Sequence, residues 1–206
     1  MKSTQEQVLS KIYGNGKGYA FSSMDFIRDF PRDNIDKALS GLVQKGKIRR
    51  VARGIYDYPK YSKLLQQNLS PDMEQVAYTY ARKFNWQIEI SGDTALNILG
   101  LSTQIVGKYI YLSNGPSKEY VILDNMVLAF KGSSLKNIGF KYKESSLIVQ
   151  ALRALGKEHI NDTVIAKIRS QIDEKIFDKI LKDTKTSTDW IYETIKEICK
   201  KETIHE

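Results

Sequence analysis

Five basic side chains, Lys45, Lys47, Arg49, Arg50 and Arg53, fall within nine residues with no carboxylate among them. Cations at that density neutralise phosphates, because each one placed on a duplex backbone releases condensed counterions. Just upstream, Asn34, Lys37, Ser40 and Gln44 recur at helical spacing. Amide, ammonium and hydroxyl groups on one helix face can bond base edges: Asn and Gln suit adenine, and Lys suits guanine. Together the two sets point to DNA recognition. Asn34, Lys37, Ser40 and Gln44 would read bases, while Lys45, Lys47, Arg49, Arg50 and Arg53 would grip the backbone and set register. Asp33 would repel phosphate, so it is expected to orient Lys37 or to accept from cytosine.

The elements that must position these groups follow from patterning. Ile35, Ala38, Leu39, Leu42 and Val43 mark the inner face of an amphipathic helix that Gly46 stops. Lys47 to Tyr58 then reads as two short strands around Arg53-Gly54. Upstream, Ser3 and Glu6 have capping-box spacing for a helix over Thr4–Tyr13, with Val8, Leu9, Ile12 and Tyr13 inward. Tyr19–Phe21 predicts a short strand. Ser22 or Ser23 predicts the cap of a second helix through Met24, Phe26, Ile27 and Phe30, ended by Pro31. Helix, strand, helix, helix, hairpin is the order of a winged helix-turn-helix, with the third helix in the major groove and the hairpin along phosphates. Tyr56 is expected to cover core, and Tyr58 is free to stack on sugars or bases. Gly41 costs about 1 kcal/mol inside a helix. It implies either close approach of a backbone or DNA phosphate, or tight packing on the second helix.

Charge placement agrees with a polyanion bound at one end. Residues 1–60 carry 12 Lys/Arg against 6 Asp/Glu, whereas the rest carry 20 against 18. Beyond residue 60, Tyr61, Leu64, Leu65 and Leu69 predict a short docked helix in a connector over 61–71. A second domain is expected over 72–206. It opens with a helix (Val76, Ala77, Tyr80, Ala81, Phe84) and a strand at Trp86–Ile90, and Gly92-Asp93-Thr94 starts a short helix ending near Gly100. Strands follow at Lys108–Ser113, Tyr120–Leu123, Met126–Phe130 and Phe140–Lys143, with turns at Asn114-Gly115 and Asp124-Asn125. From about 145 the period is helical, with four helices. The class expected is α+β: a winged helix-turn-helix, then a mixed α/β domain with a helical C-terminal part.

Catalytic and metal chemistry find little footing. His159 and His205 are far apart, and Cys199 among isoleucines and lysines reads as a half-buried spacer. Glu89 and Asp93 lack the two-residue spacing of a metal-binding carboxylate pair, so Asp93-Thr94 reads as a helix start. No phosphate-binding glycine loop occurs, and neither a cofactor nor a metal is expected. One cysteine excludes an internal disulfide. No run of about 18 apolar residues predicts a membrane span, and MKSTQEQVLS lacks a signal peptide's apolar core. A cytoplasmic location is expected.

The run LVQKGKIRRVARGIYDYP resembles the winged-helix domain of AbiEi-type antitoxins of type IV toxin–antitoxin systems, through Gly46, Arg49, Arg50, Arg53, Gly54 and Tyr56. The segment ISGDTALNILGLSTQIVGKYIYLSNG, with Thr94-Ala95-Leu96 and Leu99-Gly100-Leu101, resembles that family's second domain. The resemblance covers most of residues 3–155. It implies a repressor that binds promoter inverted repeats of its own operon, as a dimer or as cooperative monomers, and counters a nucleotidyltransferase-type toxin in phage resistance. The rival readings are a regulator whose second domain senses a small ligand, an enzyme on nucleic acid with the winged helix as clamp, and a protein-docking module.

Overall fold

The structure, a computed structural model, describes residues 2–102, 107–123, 125–133 and 139–200. Asp124 of the expected Asp124-Asn125 turn and His205 lie outside the described residues. The architecture is mixed α and β, in the α+β class. Two compact units form: residues 1–86 with 119–128, and residues 87–118 with 129–206.

The first unit begins with helix α1 (Thr4–Gly14), capped as its sequence predicts. Ser3 Oγ accepts from the Glu6 amide at 3.3 Å and the Glu6 carboxylate accepts from the Ser3 amide at 2.8 Å. Strand β1 (Ala20–Phe21) follows. The expected second helix is only a 3-10 turn, Ser23–Phe26, closed by a Ser22/Asp25 capping box. Phe26 alone of its apolar residues is buried, and Met24 and Ile27 stay exposed. A longer helix would have had no second apolar face to bury.

Helix α2 (Arg32–Gln44) buries Ile35, Ala38, Leu39 and Leu42 against Val8, Ile12, Phe21 and Phe26. Its end is a Schellman motif. Gly46 takes φ +61°, its amide donates to the Val43 carbonyl at 2.9 Å, and the Lys47 amide donates to Leu42 at 3.0 Å. Strands β2 (Arg49–Ala52) and β3 (Ile55–Asp57) turn at Arg53-Gly54, and the sheet order is β1-β3-β2, antiparallel. The Leu123 amide donates to the Val51 carbonyl at 2.8 Å on the outer edge of β2.

The connector departs from expectation. Tyr61, Leu64, Leu65 and Leu69 do not form a docked helix. Instead β4 (Tyr61–Ser62) pairs with β5 (Gln67–Asn68) in a small hairpin. Helix α3 (Met73–Phe84), capped by Asp72 on the Glu74 and Gln75 amides, belongs to this first unit. The expected boundary at residue 72 therefore falls after Trp86. The reason is polar as well as apolar: Arg82 Nε donates to Asp25 at 2.7 Å and Arg82 Nη2 to the Ala20 carbonyl at 3.1 Å.

The second unit holds β6 (Ile88–Ile90), α4 (Gly92–Ile98) and β7 (Lys108–Ser113). Strands β8 (Lys118–Ile122) and β9 (Met126–Gly132) belong partly to the first unit, through residues 119–128, and the strand order is β6-β7-β9-β8. Gly100 closes α4 at φ +64°, with Leu101 donating back to the Leu96 carbonyl. No strand forms at Phe140–Lys143, because Lys143 already opens helix α5 (Lys143–Leu155). Then come α6 (Asp162–Arg169), α7 (Phe177–Asp183) and α8 (Asp189–Ile198), so among the described residues four α-helices follow residue 142. Their core joins Leu147, Ile148, Leu152, Ile168, Phe177, Ile180, Ile191 and Ile195 to Ala95 and Leu99 of α4.

Candidate nucleic-acid interface

The inner face of α2 fixes where its other side chains point. With Ile35, Ala38, Leu39 and Leu42 buried, Asp33, Asn34, Lys37, Ser40 and Gln44 are all exposed. Asn34 and Lys37 line a shallow groove of about 370 Å³ with Ser3, Thr4, Gln5 and Ala38. The start of α1 thus stands beside the outer face of α2. No hydrogen bond or ion pair joins Asp33 to Lys37 among the described residues. The pairing at this helix start is Arg32 with Asp36, at 3.9 Å.

The five cations divide. Lys47, Arg50 and Arg53 are exposed, and none of their side chains forms an ion pair or hydrogen bond among the described residues. Lys45 is exposed and donates to Gln5 Oε1 at 2.6 Å, which anchors its stem across α1 near the Glu6 carboxylate that its charge favours. Arg49 is different. Its Nε and Nη2 donate to the two carboxylate oxygens of Asp57 at 3.0 and 2.6 Å, and Nη2 also donates to the Leu69 carbonyl at 3.1 Å. Asp57 is only 1% exposed. Arg49 therefore has an acidic partner, and its first role is to neutralise a buried carboxylate and bind the connector. Register causes this, since Arg49 stands across from Asp57 in the β2–β3 ladder. A regular two-residue turn at Arg53-Gly54 would set Arg50 across from Asp57; the irregularity between Arg50 and Ala52 shifts the register by one and brings Arg49 there instead.

Tyr56 covers core, stacking on Phe21 with centroids 6.1 Å apart. Tyr58 packs on Tyr13 at 4.7 Å, so part of its ring is already used. Gly41 faces neither the second helix nor another backbone. A β-carbon there would stand 2.4 Å from Gln5 Nε2 of α1.

One cation near this surface was not legible beforehand. Lys83 Nζ donates to the Arg53 carbonyl at 3.4 Å. Burial, and then the charges of Arg32 and Arg53, push its ammonium below the usual lysine range. Three like charges are thus held together at the hairpin turn and the start of α2. No sequence signal linked them, because α3 reads as the start of another domain.

A family model described as a family of unknown function (DUF6088) matches residues 7–180. The chain belongs to that family. No curated protein matches it. Elsewhere, His159 Nδ1 lies 2.7 Å from the Leu155 carbonyl oxygen, and Glu89 accepts from the Gly139 amide at 3.1 Å. Cys199 is buried, which pushes its thiol up to about 11. Among the described residues no three His, Cys, Asp or Glu side chains gather as a metal site would require, and no helix is long and apolar enough to cross a membrane.

Proposed function

We propose that residues 1–60 are a winged helix-turn-helix that binds duplex DNA, with α2 in the major groove and the β2–β3 hairpin as its wing. The observation that carries this reading is the open polar face of α2, continued by Lys47, Arg50 and Arg53 with no ionic partners among the described residues. The β1-β3-β2 order also supports it. Asn34, Lys37, Ser40 and Gln44 read base edges. Lys45, Lys47, Arg50 and Arg53 contact phosphates, and Arg49 acts through the hairpin it braces. Following the resemblance to AbiEi-type antitoxins, the protein represses its own operon at promoter inverted repeats, as a dimer or as cooperative monomers in the cytoplasm. It counteracts a nucleotidyltransferase-type toxin and performs no catalysis itself. The test is a titration of labelled DNA from its own upstream region. Nanomolar binding that falls steeply with salt is expected, and Gln44→Ala should relax preference at one or two base pairs by about 1–3 kcal/mol. Absence of binding at low ionic strength would refute the reading.

A second reading, a regulator whose C-terminal unit senses a small ligand, draws on a cleft of about 360 Å³ lined by Lys141, Tyr142, Lys179, Lys182 and Asp183. Lys141 Nζ and Lys179 Nζ lie 5.6 and 5.9 Å from the Tyr142 ring centre. Both Asp183 oxygens are taken up by the Lys141 and Tyr142 amides, so the lysines leave the cleft suited to an anion. A rise in melting temperature with inorganic phosphate that Lys179→Ala removes would favour it.

A further inference from the structure

The β4–β5 hairpin exposes its apolar residues. Leu64 is 92% exposed, Leu65 57% and Tyr61 52%. A patch of large apolar side chains held in water marks an interaction surface. The arm is also anchored. The Leu69 amide donates to the Lys60 carbonyl at 2.7 Å, the Leu65 amide donates to Ser62 Oγ at 3.1 Å, and Arg49 Nη2 holds the Leu69 carbonyl. Its base is thus fixed to β2, the strand that carries Arg50.

The composition around the leucines selects the partner. Residues 58–71 contain Lys60 and Lys63, the amides Gln66, Gln67 and Asn68, and no carboxylate. A second copy docking tip to tip would bring lysines against lysines. Minor-groove DNA suits every part of the set: lysines meet phosphates, amides meet the acceptors of A·T pairs, and apolar wedges enter between base steps. We propose that the hairpin Tyr61–Asn68 is a minor-groove arm that inserts Leu64 and Leu65 at a base step and bends the DNA held by α2. Flexible pyrimidine–purine steps are where such a wedge costs least. The inference rests on the DNA-binding reading above.

The test measures the end-to-end distance of a doubly dye-labelled duplex from the upstream region by energy transfer, with the parent protein and with Leu64→Ala/Leu65→Ala. Both leucines lie in solvent, so the double variant should melt as the parent does, which a thermal scan checks. The parent should shorten the duplex. The double variant should bind roughly tenfold more weakly and leave it straight, since leucine burial and base unstacking largely offset each other. If the variant binds and bends DNA as the parent does, the arm proposal fails and the role of α2 stands. If the parent binds no duplex, both readings fail together. Sedimentation with phosphatidylglycerol vesicles, or a dimer in the ultracentrifuge, that the double variant loses would assign the leucines to lipid or to a second copy and overturn the proposal.

Discussion

Replacing Arg49 and Arg50 in turn separates the two jobs proposed for these adjacent arginines. Among the described residues Arg49 is the one partner of the Asp57 carboxylate, which is 1% exposed while Arg49 is 22% exposed. Arg49→Ala leaves that carboxylate buried without a cation, a change of about 3–5 kcal/mol for a fully enclosed pair. The arginine is partly open to water, which can enter after truncation, so the lower end, about 3 kcal/mol, is expected. For a chain of this size that lowers Tm by roughly 6–12 °C. Arg50 is exposed and its side chain has no ionic partner among the described residues, so Arg50→Ala should change stability by no more than about 0.5 kcal/mol. On DNA the order reverses. Arg50→Ala should reduce the slope of log K against log salt by about 0.9, one lost phosphate contact. Arg49→Ala, assayed well below its melting point, should keep the parent slope. Urea melts and anisotropy titrations at four or more salt concentrations measure both quantities. An Arg49→Ala protein with parent stability and a reduced slope would show that the Asp57 pair does not govern the side chain.

Gly41 and Gly92 should respond oppositely to alanine. At Gly41 the only obstacle is the flexible end of Gln5, so Gly41→Ala should be neutral or stabilising by up to about 1 kcal/mol in a urea melt. At Gly92 a β-carbon would meet Ala154 Cβ at 2.5 Å and the Gln150 carbonyl at 3.0 Å, so Gly92→Ala should cost about 1–3 kcal/mol. Lys83 has a depressed pKa through burial and through Arg32 and Arg53. The unfolded chain therefore binds more protons between its folded and unfolded pKa values, and this residue makes stability rise with pH there. Urea melts at pH 7 and pH 10 should show Lys83→Met more stable than the parent at pH 7, with the gap closing at pH 10. Cys199, with its thiol raised to about 11 by burial, should react with iodoacetamide at pH 8 only after urea unfolding. Labelling of the folded protein within minutes would contradict its placement.

Much of the first unit was legible because local rules and the core agreed. The Ser3/Glu6 box, the α2 stripe and the Gly46 stop each follow from groups within about five residues. The Arg49–Asp57 pair needed strand register, and the attachment of α3 needed contacts such as Arg82–Asp25 across more than fifty residues. Spacing carries no trace of those. The connector failed for a different reason. Tyr61, Leu64, Leu65 and Leu69 have helical spacing, and periodicity assumes that such a stripe faces the chain's own core. Between Pro59 and Pro71 a helix could be at most about three turns long, too short to offset its nucleation cost without a surface to pack on. The hairpin satisfies its backbone locally and leaves Leu64 and Leu65 in water. Apolar residues in a segment that cannot bury them are better explained by a partner outside the chain. The same logic applies to Lys47, Arg50 and Arg53, whose side chains meet no carboxylate among the described residues. Cations and leucines left unsatisfied on one unit, with no carboxylate between residues 58 and 71 to balance them, are complementary to a polyanion that also offers stacked apolar faces. Duplex DNA is such a molecule.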